Sequence, residues 1–124
     1  MRFFKVVAGV ALCVFALSVL ANAKQNQFGV ADEREVIFST PIRVGGTLLP
    51  QGNYRVLHTM QGSDHIMVFE QTGVKNPSTA KVKCQLTPLT VKAQEGRQTY
   101  TINAQHERVL QSLVFRGDRA QHNF

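Results

Sequence analysis

The sequence predicts an all-β domain, a single small antiparallel β-sandwich, with a partly open barrel as the alternative. Three observations carry this. From residue 35 onward, runs of four to eight β-favouring residues alternate apolar and polar side chains. Turn signals separate them at short spacing: Gly45-Gly46, Pro50-Gln51-Gly52, Gly62-Ser63, Glu95-Gly96 and Gly117-Asp118. The one stretch with a helical stripe, residues 106–116, fits a strand as well, and the Gly117-Asp118 turn after it favours the strand.

The chain has 124 residues, enough for one small domain and too few for a Rossmann or TIM-barrel enzyme. Its N-terminus reads as an export signal, residues 1–23. Arg2 and Lys5 form a basic start, residues 6–20 are uncharged and mostly apolar, and Ala21-Asn22-Ala23 offers a small-x-small cleavage site. That apolar run is short for a membrane span, and no second one follows to arrest transfer. Cleavage removes two cations, so the formal net charge falls from +6 to +4. It also removes Cys13, which follows Leu12 where a lipidated signal would need a small residue, and leaves Cys84 as the one thiol of the mature chain. The fold must then hold by packing, without an intrachain disulfide, in a periplasmic or secreted setting that would permit one. Residues 24–34 are polar and aperiodic, a flexible leader. The β domain is expected over 35–124.

Val36, Phe38 and Thr40 share one face of a first strand, which Pro41 ends or confines to an edge. Gly45-Gly46 predicts a tight hairpin pairing Val44 with Thr47 and Ile42 with Leu49. A second hairpin follows, with Gly62 at the first central position of a type II′ turn. Its register pairs Met60 with His65, His58 with Met67, Val56 with Phe69 and Arg55 with Glu70, the last an opposite-charge match. One face of that hairpin carries Tyr54, Val56, His58, Met60, Met67 and Phe69. Ala80, Val82, Cys84 and Leu86 alternate with Lys81, Lys83 and Gln85, so Cys84 should point inward, with Pro88 closing the strand. Tyr100, Ile102 and Ala104 mark another strand. The last hairpin should pair Leu113 with His122 and Phe115 with Ala120.

Few residues offer chemistry. Ser63, Asp64 and His65 stand side by side on a hairpin tip, where they cannot align as a nucleophile, base and acid drawn from distant segments. No zincin motif, phosphate-cradling glycine loop or nucleophile elbow occurs. Cys84 reads as a buried, inert thiol, because a reactive one needs an accessible, electropositive setting. The sharper expectation is a metal site: His58, Met60, His65 and Met67 form a square on one sheet face, and imidazole with thioether is a copper ligand set. The bland reading of the same four is a half-buried patch filling irregular space. Lys81, Lys83 and Arg97 could line a basic stripe, with Arg116 and Arg119 flanking the last turn, facing an anionic envelope polymer or lipid. The aromatic interleaving of a single-stranded nucleic-acid platform is missing.

Residues 38–56 read Phe-Ser-Thr-Pro-Ile-Arg-Val-Gly-Gly-Thr-Leu-Leu-Pro-Gln-Gly-Asn-Tyr-Arg-Val. This string resembles the F-x-x-P-V-x-V-G-G-T-x-L-P-A-G-x-Y-x-V opening of small exported bacterial β-proteins. Leu113-Val114-Phe115-Arg116-Gly117 and the terminal Phe124 are similar to the way such proteins end. The resemblance implies an exported β-sandwich and carries no catalytic residues across. Residues and resemblance together lead to the expectation of an exported, non-catalytic binding or envelope-associated module without a cofactor and without a stable membrane span after cleavage. The alternative is a small-ligand or copper carrier using the His/Met face.

Overall fold

The computed structural model describes residues 32–124; the expected export signal and nearly all of the leader lie outside the described residues. Nine strands follow in order: β1 (Glu33–Phe38), β2 (Ile42–Val44), β3 (Thr47–Leu49), β4 (Gly52–Gln61), β5 (Asp64–Gln71), β6 (Thr79–Pro88), β7 (Arg97–Ile102), β8 (Arg108–Val114) and β9 (Ala120–Asn123). They form one sheet in the order β1-β4-β5-β6-β9-β8-β2-β3, with β7 on the outer side of β8. The described residues are all-β, and the sheet does not close into a barrel.

The two halves of this sheet are joined through β6. Thr79–Cys84 pairs with β5, and the following residues, Gln85 to Pro88, pair with β9. One long strand therefore serves two layers, the usual way a sheet turns a corner. The alternation within β6 keeps Ala80 and Cys84 buried while Lys81, Lys83 and Gln85 stay exposed. Between the layers lies a core of Val36, Phe38, Ile42, Val44, Leu49, Tyr54, Val56, Met67, Phe69, Leu110 and Leu113. Phe38 meets both Tyr54 and Phe69 across the first layer, and Phe69 meets Phe124 from the end of the chain. Tilted and edge-on ring contacts of this kind add to what area burial alone contributes.

The first two hairpin readings hold in detail. Val44 pairs with Thr47 and Ile42 with Leu49. The β4–β5 register is the expected one from Arg55–Glu70 to Met60–His65, and Gly62 takes the positive φ of 62° that the turn requires. Gly52 sits at φ 151°, a conformation that residues with a Cβ rarely adopt, and a Cβ there would also displace the end of the Gln71 side chain, 2.9 Å away, so the exit of the Pro50-Gln51-Gly52 turn favours glycine. Two residues later the buried Tyr54 turns its hydroxyl back to donate to the Pro50 carbonyl at 2.6 Å. The Leu-Pro-x-Gly-x-Tyr string thus encodes a turn together with the hydrogen bond that locks it.

Four features differ from the sequence expectation. β1 begins at Glu33, inside the segment read as leader, because Glu33 and Arg34 pair with Leu57 and Val56. The pairing is not wholly antiparallel: β2 runs parallel to β8, Ile42 opposite Arg108 and Arg43 opposite Val109. Turn signals report only on chain neighbours, so they could not reveal it; the Arg43 guanidinium secures it by gripping both oxygens of Glu107 at 3.1 and 2.9 Å. That fork raises the Arg43 pKa and lowers that of Glu107. Leu113 pairs with His122 as expected, but Ala120 pairs with Pro88 and the Phe115 amide is taken by the Asp118 carboxylate at 3.1 Å. Finally, β7 stops at Ile102 and is exposed along its whole length. It holds to β8 through its ladder, a Thr99–Ser112 hydroxyl contact and Arg108 stacked 4.4 Å over the Tyr100 ring.

Replacing Tyr54 with Phe removes one part-buried hydrogen bond and leaves the Pro50 carbonyl without its protein donor. We expect a loss of about 1–2 kcal/mol, read as a fall in melting temperature of roughly 4–8 °C for each kcal/mol. An unchanged melting temperature would mean that the turn holds without the hydroxyl.

Candidate functional site

Two groups of side chains stand out from the packed frame. The first occupies the inner face where β4, β5, β6 and β9 meet. Alternation in β4 sends His58 inward, alternation in β6 does the same for Cys84, and the β6–β9 register, Leu86 opposite His122, turns His122 to the same side. All three are buried, and one ligand atom from each lies within 4.8 Å of those of the other two. His58 Nε2 is 2.8 Å from His65 Nδ1, and the His58 ring meets His122 edge-on with centroids 5.1 Å apart. Met67, only 1% exposed, is the register partner of His58 and lines the same small void as His58 and His122.

The electrostatics of this group favour neutral ligands. Burial lowers the His65 pKa, and His122 lowers it further, so a second positive ring is disfavoured. Burial pushes the Cys84 thiol up to about 11. Asp118, only 8% exposed, places Oδ2 at 3.3 Å from His122 Nε2, which orients that ring. The void beside these residues is about 10 Å³, no more than the room one water needs.

Of the four residues expected to form a His/Met square, the structure buries His58 and Met67 on the inner face and brings His65 against His58. Met60 is half-buried nearer the hairpin tip. Sequence reasoning did not connect Cys84 and His122 with this face. Cys84 was read as inward-facing and His122 only as the partner of Leu113, and their meeting depends on β6 and β9 being neighbours, which no local signal reports.

The second group is a basic end. Residues 89–96 fold back against the last turn through three backbone hydrogen bonds: Leu89 N–H to the Arg119 carbonyl, Ala93 N–H to that of Asp118, and Gly117 N–H to that of Ala93, at 2.8–2.9 Å. This brings the exposed Lys92, Arg97 and Arg116 to the clefts along the 89–96 loop, with the exposed Arg119 on the turn to which that loop is tied. None of these four cations forms an ion pair among the described residues, whereas Arg34, Arg43, Arg55 and Lys83 all do. The expected stripe of Lys81, Lys83 and Arg97 is therefore broken up. Lys83 is held by Asp64 at 3.3 Å, and Arg97 belongs to the basic end. Among the described residues, no helix is long and apolar enough to cross a membrane. No protein family, curated protein or solved structure matches the chain.

A thiol at about 11 instead of 9.0 has about 100-fold less thiolate near neutral pH. Cys84 in the folded protein should therefore react with a disulfide reagent at pH 8 at least about 100-fold more slowly than after unfolding, with the rate rising about tenfold per pH unit. Equal rates before and after unfolding would contradict its burial.

Proposed function

We propose that this chain is an exported, non-catalytic binding module of the periplasm or the extracellular space, and that its basic end contacts an anionic envelope polymer. The observation that carries this reading is the tie between residues 89–96 and the 116–119 turn. Four cations lacking carboxylate partners are held at one end of a rigid sheet, and fixed positive charge raises the local concentration of a polyanion and the rate of encounter with it. Export rests on the N-terminal signal pattern and on the resemblance to small exported β-proteins. A non-catalytic role rests on burial: Cys84, His58 and His122 are shut away from solvent, and the void beside the two imidazoles admits about one water, too little for a substrate.

An internal carrier for an organic ligand has less support, because the inner void admits about one water. The surface reading needs no cavity. It calls for unpaired charge in a fixed arrangement, and the three backbone hydrogen bonds supply the arrangement.

Chromatography on heparin and on immobilised polyphosphate tests this. The protein should remain bound at about 0.15 M salt, where exposed charges interact over roughly 8 Å, and elute at higher salt. Arg116→Ala with Arg119→Ala should elute well before Lys75→Ala with Lys81→Ala, although both pairs remove two cations. Passage of the unmodified protein through either column at 0.15 M salt, or equal shifts for the two double variants, would overturn the assignment to this end.

A further inference from the structure

We propose that His58, Cys84 and His122 bind one thiophilic transition-metal ion, copper or zinc, on the inner face of the sheet. This goes beyond polymer binding and does not depend on it. Three strands, β4, β6 and β9, each deliver one buried side chain, and no two of the three ligand atoms are more than 4.8 Å apart. A tetrahedral ion with bonds of about 2.0–2.1 Å to nitrogen and 2.3 Å to sulfur sets its ligand atoms roughly 3.3–3.6 Å apart, so ligation calls for these side chains to draw together, at the 4.8 Å limit by a little over an ångström between atoms.

Three further features point to a ligand. His122 Nδ1 is buried and has no hydrogen-bond partner among the described residues, a costly position that ligation would relieve. Its other nitrogen faces the Asp118 carboxylate, the second-shell arrangement that orients a metal-bound imidazole and raises its basicity. His65 engages Nε2 of His58 and orients that ring in the same way. The donor set then selects the ion. Two imidazoles with one thiolate suit copper and zinc and exclude magnesium and calcium, which take oxygen ligands. Met67 borders the small void that His58 and His122 also line, and that void has room for about one water.

Binding balances simply. The Cys84 S–H bond breaks, a sulfur–metal bond forms and the proton leaves to solvent, while both imidazoles ligate in neutral form. No change of oxidation state is required. The charge left on a divalent ion with one thiolate is positive and lies near the Asp118 carboxylate; with Cu(I) the pair is neutral, and burial costs least.

The test uses the full chain, reduced and freed of metal, titrated with Co(II) as a reporter for zinc and with Cu(I) against a chromophoric chelator. At least one of the two ions should bind at one equivalent. With Co(II), binding should bring a sulfur-to-cobalt charge-transfer band that is absent in Cys84→Ser. His58→Gln and His122→Gln should each weaken binding at least tenfold, and Asp118→Asn by about 10–100-fold, whereas Met67→Leu should still bind one ion. Circular dichroism checks that each variant is folded, and the stoichiometry of the unmodified protein stands without any variant. The proposal is overturned if neither ion binds at one equivalent, or if folded Cys84→Ser binds as tightly as the unmodified protein. In the latter case the ion sits on other donors, Cys13 included.

Discussion

The Asp118 carboxylate is buried in the last turn with three groups closing on it, and the backbone carbonyl of the same residue holds a fourth. The carboxylate accepts from Arg34 of β1 at 3.2 Å and from the Phe115 amide at 3.1 Å, and lies 3.3 Å from His122 Nε2. The backbone carbonyl of the same residue receives Ala93 from the 89–96 loop. A carboxylate out of water is tolerated only when its oxygens are occupied in this way. Arg34, which also lies 5.9 Å over the Phe115 ring, reaches it from the edge strand β1, which β4, β5 and β6 separate from β9 in the sheet order. One residue thereby staples β1 to the β8–β9 turn, where backbone pairing does not join them.

Both candidate functions follow from that anchor. Arg116 and Arg119 are displayed because the turn between them is fixed from inside, and Lys92 joins them because its loop hangs on the Asp118 and Arg119 carbonyls. Toward the interior, the same carboxylate sets the orientation of His122 and, through it, the inner-face cluster. The corner in β6 completes the geometry. Cys84 is the last residue paired with β5, at the point where the strand passes to β9, so its thiol lies where the two layers converge.

Most of the fold could be read from local patterns because hairpins are local objects. Gly62 with Arg55 and Glu70 defined a register, and the alternation around Cys84 defined a buried face. The parallel β2–β8 pair was not legible, since its strands are distant in sequence and the Arg43–Glu107 fork that secures it looks like two ordinary surface charges. The candidate site was half legible. His58, His65 and Met67 shared a face by register alone, whereas Cys84 and His122 joined them only through the strand order. Asp118 read as a turn former; its burial comes from Arg34, a residue that read as leader.

The most direct test of the anchoring role is the unfolding free energy of Asp118→Ala, from denaturant titration against the unmodified protein. Removing all three side-chain contacts should cost about 2–4 kcal/mol, the range for breaking a largely buried, partnered charge with one partner partly exposed. A change within about 0.5 kcal/mol, as for an ordinary surface substitution, would show that the turn, the basic end and the orientation of His122 do not depend on this carboxylate.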